Sequence, residues 1–311
     1  IYIMIASSYT PICIGVVGSW SGLGRSAILG CSAFLLPDLP LYSTLFTEDP
    51  FCPLDFFAVS TSNTWAVAEV KDKDGNVTTP AVPGVSVNIE GEGLDIGGRE
   101  LTVNGYAVNA TNPNDDLMVA EFVRQHQGMN DKKVNLHFNH ALAKVQFKFL
   151  TTAPAEDVVK VNSLAVAGLK TSGTLEVSET TTGYTDNTGR VEVELEWTPE
   201  EATEEFTDDK DGAITLTAEA AEFATWLVLP QVITGKTVAI NYTINDRTFD
   251  QVFALSREAV AGTDETEGTD AFTNWGINQV VTYTINLTPN RITFKPSVEE
   301  WAPETPQTDV N

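Results

Sequence analysis

Few side chains in this sequence are placed for chemistry. With three histidines and three cysteines in 311 residues, neither a multi-histidine metal site nor a dense disulfide framework can be built. His137 and His140 share the run Leu136-His137-Phe138-Asn139-His140. On a strand those two positions point to opposite faces and cannot hold one metal unless a bulge intervenes. His126 has no companion. Asp209-Lys210-Asp211-Gly212 and Asp72-Lys73-Asp74-Gly75 resemble the start of a calcium loop. Counting from Thr207, however, the twelfth position, where a bidentate Glu is required, is Ala218. Both stretches therefore read as hairpin turns. Glycoside hydrolysis needs two carboxylates across a cleft, and a chain with 43 Asp and Glu offers such pairs everywhere, so their presence carries no information. The sequence has no Gly-x-Ser-x-Gly elbow, phosphate-binding glycine loop or His-Glu-x-x-His helix. Trp20, Trp65, Trp197, Trp226, Trp275 and Trp301 are able to stack on sugars, but core or edge packing is the commoner use of such rings. The expectation is a chain with no catalytic residue, no metal and no cofactor.

The elements that carry these residues are strands. Val191-Glu192-Val193-Glu194-Leu195-Glu196-Trp197 alternates apolar residues with carboxylates. Val238, Ile240, Tyr242 and Ile244, and again Val281, Tyr283, Ile285 and Leu287, alternate with small or polar residues. A period of two suits antiparallel strands with one face in a core and the other in water. Shorter strand candidates run from Trp65 to Phe294, separated by turn signals such as Asp74-Gly75-Asn76, Pro83-Gly84 and Ser172-Gly173. Weak helical periodicity is confined to Asp116–Gln125 and Thr217–Phe223. The acidic stretches Pro199–Asp211 and Thr263–Asp270 read as solvated loops. Thr151-Thr152-Ala153-Pro154-Ala155-Glu156-Asp157 is the best internal boundary. The resulting division is a leader over 1–57, an N-terminal domain over 58–155 and a C-terminal domain over 156–311.

Charge and composition narrow the partners. Lys and Arg total 18 against 43 Asp and Glu, a formal charge of -25, which excludes nucleic acid and electrostatic docking on anionic lipid. Residues 1–57 hold one base, Arg25, four acids and all three cysteines, whereas the rest of the chain has no cysteine at all. Such a break marks a targeting or processing segment. Within it, Ile28-Leu29-Gly30-Cys31-Ser32 is similar to the end of a bacterial lipoprotein signal and makes Cys31 the candidate lipid attachment. The alternative is an ordinary buried or free cysteine. Leu29 where a smaller residue is usual, Pro11 in the apolar run and the lack of a basic N-terminal region depart from that pattern.

A longer run carries a resemblance to a family. Val134-Asn135-Leu136-His137-Phe138-Asn139-His140-Ala141-Leu142-Ala143-Lys144-Val145-Gln146-Phe147 resembles the hallmark of the fimbrillin-like proteins of Bacteroidales, major and minor fimbrial families included. There a strand ending in Phe-x-His-Ala-Leu runs into one beginning Lys-Val. Asp115-Asp116-Leu117-Met118-Val119-Ala120, Leu227-Val228-Leu229-Pro230-Gln231, Trp275-Gly276 and Val298-x-x-Trp301 follow the family's order. The resemblance implies an all-β fold of two tandem transthyretin-like β-sandwich domains after an N-terminal leader. It also implies export to the outer membrane and cell surface, with the membrane reached only through a lipid anchor. The implied role is that of a pilus subunit or accessory protein, at anchor or tip, joined to other pilus subunits or to itself by strand exchange. In polymerising members an Arg-specific protease removes the N-terminal strand. Here Arg25 precedes Cys31 and the next arginine is Arg99, which favours an anchor, tip or non-polymerising protein. The residues expected at the intersubunit contact are Val298, Trp301 and Val310, although the tail after Trp301 carries two prolines, which cannot donate to a ladder. The alternatives are a non-polymerising surface lipoprotein that binds a glycan or host protein, and a glycan-active enzyme.

Overall fold

The computed structural model describes residues 2–7, 54–71, 75–90, 100–111, 113–125, 136–180, 190–201, 203–259, 270–289 and 291–301. These residues form strands, turns and bends, with no helix among them. In chain order the strands open with β1 (Tyr2–Ser7), β2 (Leu54–Thr61), β3 (Val70–Lys71), β4 (Val77–Thr79), β5 (Ser86–Glu90) and β6 (Glu100–Ala107). They continue with β7 (Leu117–Ala120), β8 (Phe122–Gln125), β9 (Phe138–His140), β10 (Ala143–Leu150), β11 (Val159–Lys170) and β12 (Ser172–Glu179). Next come β13 (Arg190–Val191), β14 (Val193–Pro199), β15 (Thr203–Thr215), β16 (Ala221–Val228), β17 (Gln231–Val232) and β18 (Thr237–Ile244). The last are β19 (Arg247–Ala254), β20 (Asn274–Trp275), β21 (Gln279–Leu287) and β22 (Ile292–Glu300).

Two four-stranded sheets, β16-β10-β21-β22 and β15-β11-β18-β19, face each other. β10 buries every second residue, placing Val145, Phe147 and Phe149 inward, and β21 does the same with Val281, Tyr283, Ile285 and Leu287. Across the gap Phe206 of β15 meets Trp226 of β16 at 5.6 Å, and Phe253 of β19 stacks on Phe294 of β22 at 5.6 Å. Burial pushes the Tyr283 hydroxyl far above its ordinary pKa. That buried hydroxyl accepts from Trp275 Nε1 at 3.0 Å and donates to the Leu255 carbonyl at 3.1 Å, so both polar groups are satisfied inside the core. One pairing departs from the antiparallel expectation: β10 and β21 run parallel. Alternation of side chains is the same in either direction, so the sequence pattern carries no signal for it.

A second pair of sheets is β13-β8-β2-β7-β9, with β1 on the free side of β2, and β14-β12-β6-β5. They draw on chain from both sides of residue 155. β12 lies between β14 and β6, while β10 belongs with β16 and β21. The expected domain boundary at 155/156 therefore falls inside a sandwich. Thr151–Asp157 links β10 in one sheet to β11 in the sheet facing it, and small residues with a proline suit that crossing as well as they suit a domain linker. The chain instead passes between the two pairs of sheets at three places: between β9 and β10, between β11 and β12, and between β14 and β15. The leader boundary at 57 also falls inside an element, since Phe56, Phe57, Ala58 and Val59 of β2 are all buried.

Three local expectations are corrected. Asp116–Gln125 is not helical but two strands that follow β2 with a one-residue slip near Glu121, and Thr217–Phe223 is a turn leading into β16. Pro199–Asp211 is largely strand, within β15. Asp209–Gly212 is no hairpin either: Val161 pairs with Ile214 and Ser163 with Asp209, so residues 210–213 bulge from one continuous strand. The tight hairpin is instead Asn245-Asp246, whose φ values of 49 and 64 give the mirror-image turn that matches strand twist between β18 and β19. Asp72–Asp74 and Thr263–Thr269 lie outside the described residues.

Candidate functional site

Two strands, one lying under its partner β1 and one at a sheet margin, hold the candidate surface. The first is β2. Its residues Leu54–Val59 pair with β7 and β8 on one side and, on the other, with β1 in a six-residue antiparallel ladder from Tyr2↔Val59 to Ser7↔Leu54. Phe57 and Val59 pack into the main core, Phe57 edge-on to Phe122 at 4.6 Å, and Ala58 packs with Ala120 and Phe138 on the opposite face. β2 is thus buried on both faces, and β1 fills a strand-shaped slot along its edge.

The second is β22. Its start packs inward through Ile292 and Phe294, but Ser297, Val298, Glu299 and Glu300 are exposed, Val298 by 42%. At its end the Trp301 amide donates to the Asn278 carbonyl at 2.8 Å. The indole lies flat on His140, ring centres 3.5 Å apart with 7° between planes, and Lys144 Nζ stands 5.6 Å from the same ring. His140 is held from behind by Asp116, Nδ1 to Oδ2 2.6 Å. Of the residues expected at a contact, Val298 is therefore an exposed edge residue and Trp301 is engaged within its own chain. Cys31 and Val310 lie outside the described residues. The partnership of His140 with Asp116 and Trp301 was not legible from sequence, since nothing local marks residues 24 and 161 positions away as neighbours.

The other histidine goes to the opposite side, as the strand period requires. The Glu121 amide donates to the His137 carbonyl, and the Glu121 carboxylate pairs with Arg190 Nε at 2.9 Å. Burial pushes the Glu121 carboxyl above its ordinary pKa, against the opposing pull of Arg190 and His137. As pH rises the unfolded chain therefore ionises Glu121 first. The stability attached to this group is complete below the ordinary carboxylate range and is lost as pH climbs through the raised value. Glu121→Gln, which cannot ionise, is expected to flatten the fall in stability as pH rises above the ordinary carboxylate range, read from urea midpoints of both chains over a pH series. Parallel profiles for the two chains would refute it.

A shallow hollow of about 350 Å³ lies beside β22, lined by Ile277, Asn278, Gln279, Val298, Glu299 and Glu300. Its two carboxylates are consecutive on a strand and point to opposite faces, so they do not flank a bond as glycoside hydrolysis demands. Among the described residues no three His, Cys, Asp or Glu side chains gather as a metal site, and no helix is long and apolar enough to cross a membrane.

The family model for fimbrillin-like proteins matches residues 52–301, which spans every strand from β2 to β22. The chain belongs to the fimbrillin-like family. Proteins of this family are structural adhesion proteins of the cell surface and not enzymes. Among solved structures, a fimbrial protein of Bacteroides vulgatus ATCC 8482 is 14% identical over 81% of this chain and 78% of its own, with a TM-score of 0.46. A candidate cell adhesion protein of Bacteroides uniformis ATCC 8492 is 16% identical over 81% and 73%, with a TM-score of 0.38. Another, of Bacteroides ovatus ATCC 8483, is 13% identical over 97% and 87%, also at 0.38. No curated protein matches the chain.

Proposed function

We propose that this fimbrillin-like chain is a pilus subunit or an accessory protein at the anchor or tip of a pilus, acting in adhesion and assembling by exchange of an edge strand at the slot beside β2. The observation that carries the reading is the β1–β2 ladder. β2 is buried on both faces, so without β1 it presents a row of unpaired N–H and C=O groups above an apolar floor, the template that a strand from another subunit completes. Residues 2–7 precede both Arg25 and Cys31. Loss of the segment ahead of a lipid-bearing Cys31 removes β1 and opens the slot, which makes maturation and assembly competence one event. Partner subunits of the pilus, or further copies of the chain, supply the incoming strand. No nucleic acid or cofactor enters this scheme.

The test compares the full chain with one beginning at residue 31. The shortened chain is expected to bind a synthetic peptide of residues 1–8 and to form sedimenting oligomers, while the full chain does neither. A shortened chain that stays folded and monomeric and ignores the peptide overturns the reading. It leaves the non-polymerising lipoprotein, for which retention on glycan or host-protein columns is the positive sign.

A further inference from the structure

The outer face of the sheet β14-β12-β6-β5 is acidic, and none of its four strands contains Lys or Arg. On that face Glu194 and Glu196 of β14, Glu176 of β12 and Glu100 of β6 are all exposed. Glu196 stands directly opposite Glu176, a like-charge pair that costs a sheet stability. Among the described residues no cation forms an ion pair with Glu176, Glu194 or Glu196. The inner face differs. Leu175 and Val177 of β12 are fully buried, whereas Trp197 and Leu195, their partners on β14, are only half-buried, as is Val193. The apolar layer is therefore only partly covered where the sheet ends.

β14 is the last strand of its sheet, and its free side is a row of backbone groups. The Glu192 carbonyl accepts from the Thr180 amide at 3.1 Å, and the Glu200 amide donates to the Ser172 carbonyl at 2.9 Å. The register between them is unbroken, so even-numbered positions turn N–H and C=O toward β12. Val193, Leu195 and Trp197 turn theirs outward, where no backbone hydrogen bond among the described residues meets them. Pro199, the next odd position, has no N–H and ends the row. Sheet edges are commonly blocked by Lys, Pro or an inward-pointing charge. From Val193 to Trp197 this edge has none of the three, and its inward residues are apolar.

We propose that the free edge of β14 is a docking site for an extended segment of another protein in which apolar and basic residues alternate. The segment adds as one more strand. Its backbone completes the row at Val193, Leu195 and Trp197, and its apolar side chains continue the inner layer over those same residues. Its Lys or Arg side chains fall on the outer face beside Glu194 and Glu196, where they offset the repulsion from Glu176. Charge decides against a second copy as the occupant. Pairing two copies of β14 about Leu195 sets Glu194 of each against Glu196 of the other, between chains that each carry -25. The glutamates that repel another copy attract a basic strand. β14 lies in a different sheet from β2, so this edge is available in the full chain with β1 in place.

The test uses the full chain and a fluorescent peptide of four Val-Lys repeats, read by fluorescence anisotropy. An acidic protein attracts any cationic peptide, so the control has the same composition with its period broken, Val-Val-Lys-Lys twice. The alternating peptide is expected to bind roughly 10-fold or more tightly than the control, since ladder bonds form at three edge residues. Glu194→Gln combined with Glu196→Gln, both exposed and outside the core, is expected to weaken that binding roughly 2- to 30-fold, the range for losing two opposite-charge cross-strand pairs. Two further peptides carry N-methyl groups, one on its valine nitrogens and one on its lysine nitrogens. Whichever set faces β14, one of the two is expected to lose binding with its charge and apolar residues unchanged. Equal binding of the alternating and broken-period peptides, or no binding of either, overturns the proposal. So does binding that ignores both N-methylations or the loss of the two glutamates. Each of these results leaves Glu194 and Glu196 as guards that keep the edge from pairing at all.

Discussion

Replacing Phe147 by Ala is expected to lower the free energy of unfolding by about 3–5 kcal/mol, the range for truncating a fully buried aromatic ring. Phe147 is 0% exposed in the middle of β10, with β16 on one side and β21 on the other. Its ring stacks on Tyr283 at 5.2 Å and 12°, and meets Trp226 edge-on at 5.2 Å and 61°. Three aromatic rings from three adjacent strands are too rigid to close over the vacated space, so the cavity persists and its cost adds to the lost transfer energy. Against a total of about 5–15 kcal/mol for a typical protein, that loss leaves little. Urea unfolding of Phe147→Ala beside Gln146→Ala is the measurement. Gln146 is half-buried on the other face of the same strand and is expected to cost about 0.5 kcal/mol or less. A loss near 1 kcal/mol for Phe147 would show that the two sheets collapse together, and that this core is softer than its packing implies.

Phe147 also shows what a single chain reveals. The strand read over Lys144–Phe149 folds as β10, whereas the one read over Val134–Phe138 is displaced, with β9 at Phe138–His140. Val281, Tyr283, Ile285 and Leu287 were equally legible, since a buried face imposes its period directly on the sequence. Pairing is another matter. Nothing in β10 says that β21 will lie parallel beside it, or that β12 will leave its sequence neighbours to join β6, because those choices rest on contacts among residues far apart in the chain. A short polar link with a proline looks the same whether it joins two domains or two sheets of one sandwich, which is why Thr151–Asp157 misplaces the boundary. Asp209–Gly212 has the composition of a turn and serves as a bulge for the same reason: both expel a few residues from the ladder. Val298 and Trp301 stand out in the sequence only through the family resemblance, since the strand candidate there stops at Phe294. His140 and Asp116, which meet the Trp301 ring from far along the chain, carry no local mark of that meeting. At β2 the sequence shows a strand candidate only in hindsight, because its neighbour β1 is 46 residues upstream of it.

The second large effect is expected at Gly105, in β6, where Ala should cost about 3 kcal/mol. Two independent terms contribute. Gly105 has φ +73, a conformation that strains an L side chain by about 1–3 kcal/mol. A Cβ there would also lie 2.6 Å from the Gly84 carbonyl oxygen, a backbone atom with nowhere to go. Gly84 is itself pressed against the next layer, its own Cβ position 2.2 Å from the Thr64 carbonyl oxygen. That oxygen is fixed by the Val85 amide at 2.8 Å, and Val85 in turn receives the Ala66 amide at 2.8 Å. Three stretches of backbone thus stack without side chains between them, and the outermost is the continuation of β2. Gly235→Ala provides the comparison, because its φ of +76 carries the same strain while nothing lies within 4 Å of its Cβ position. The excess of Gly105→Ala over Gly235→Ala in urea or thermal unfolding measures the overlap alone, and equal losses would show that the stack yields. A stack that holds also fixes the end of β2. Asn63 donates to the Ala107 carbonyl, and Ser62 bonds to Asp115, so the end of β2 is tied to β6 and to the approach to β7 at the point where the glycines bring the layers together. The end of β2 is thereby braced by contacts that do not involve β1.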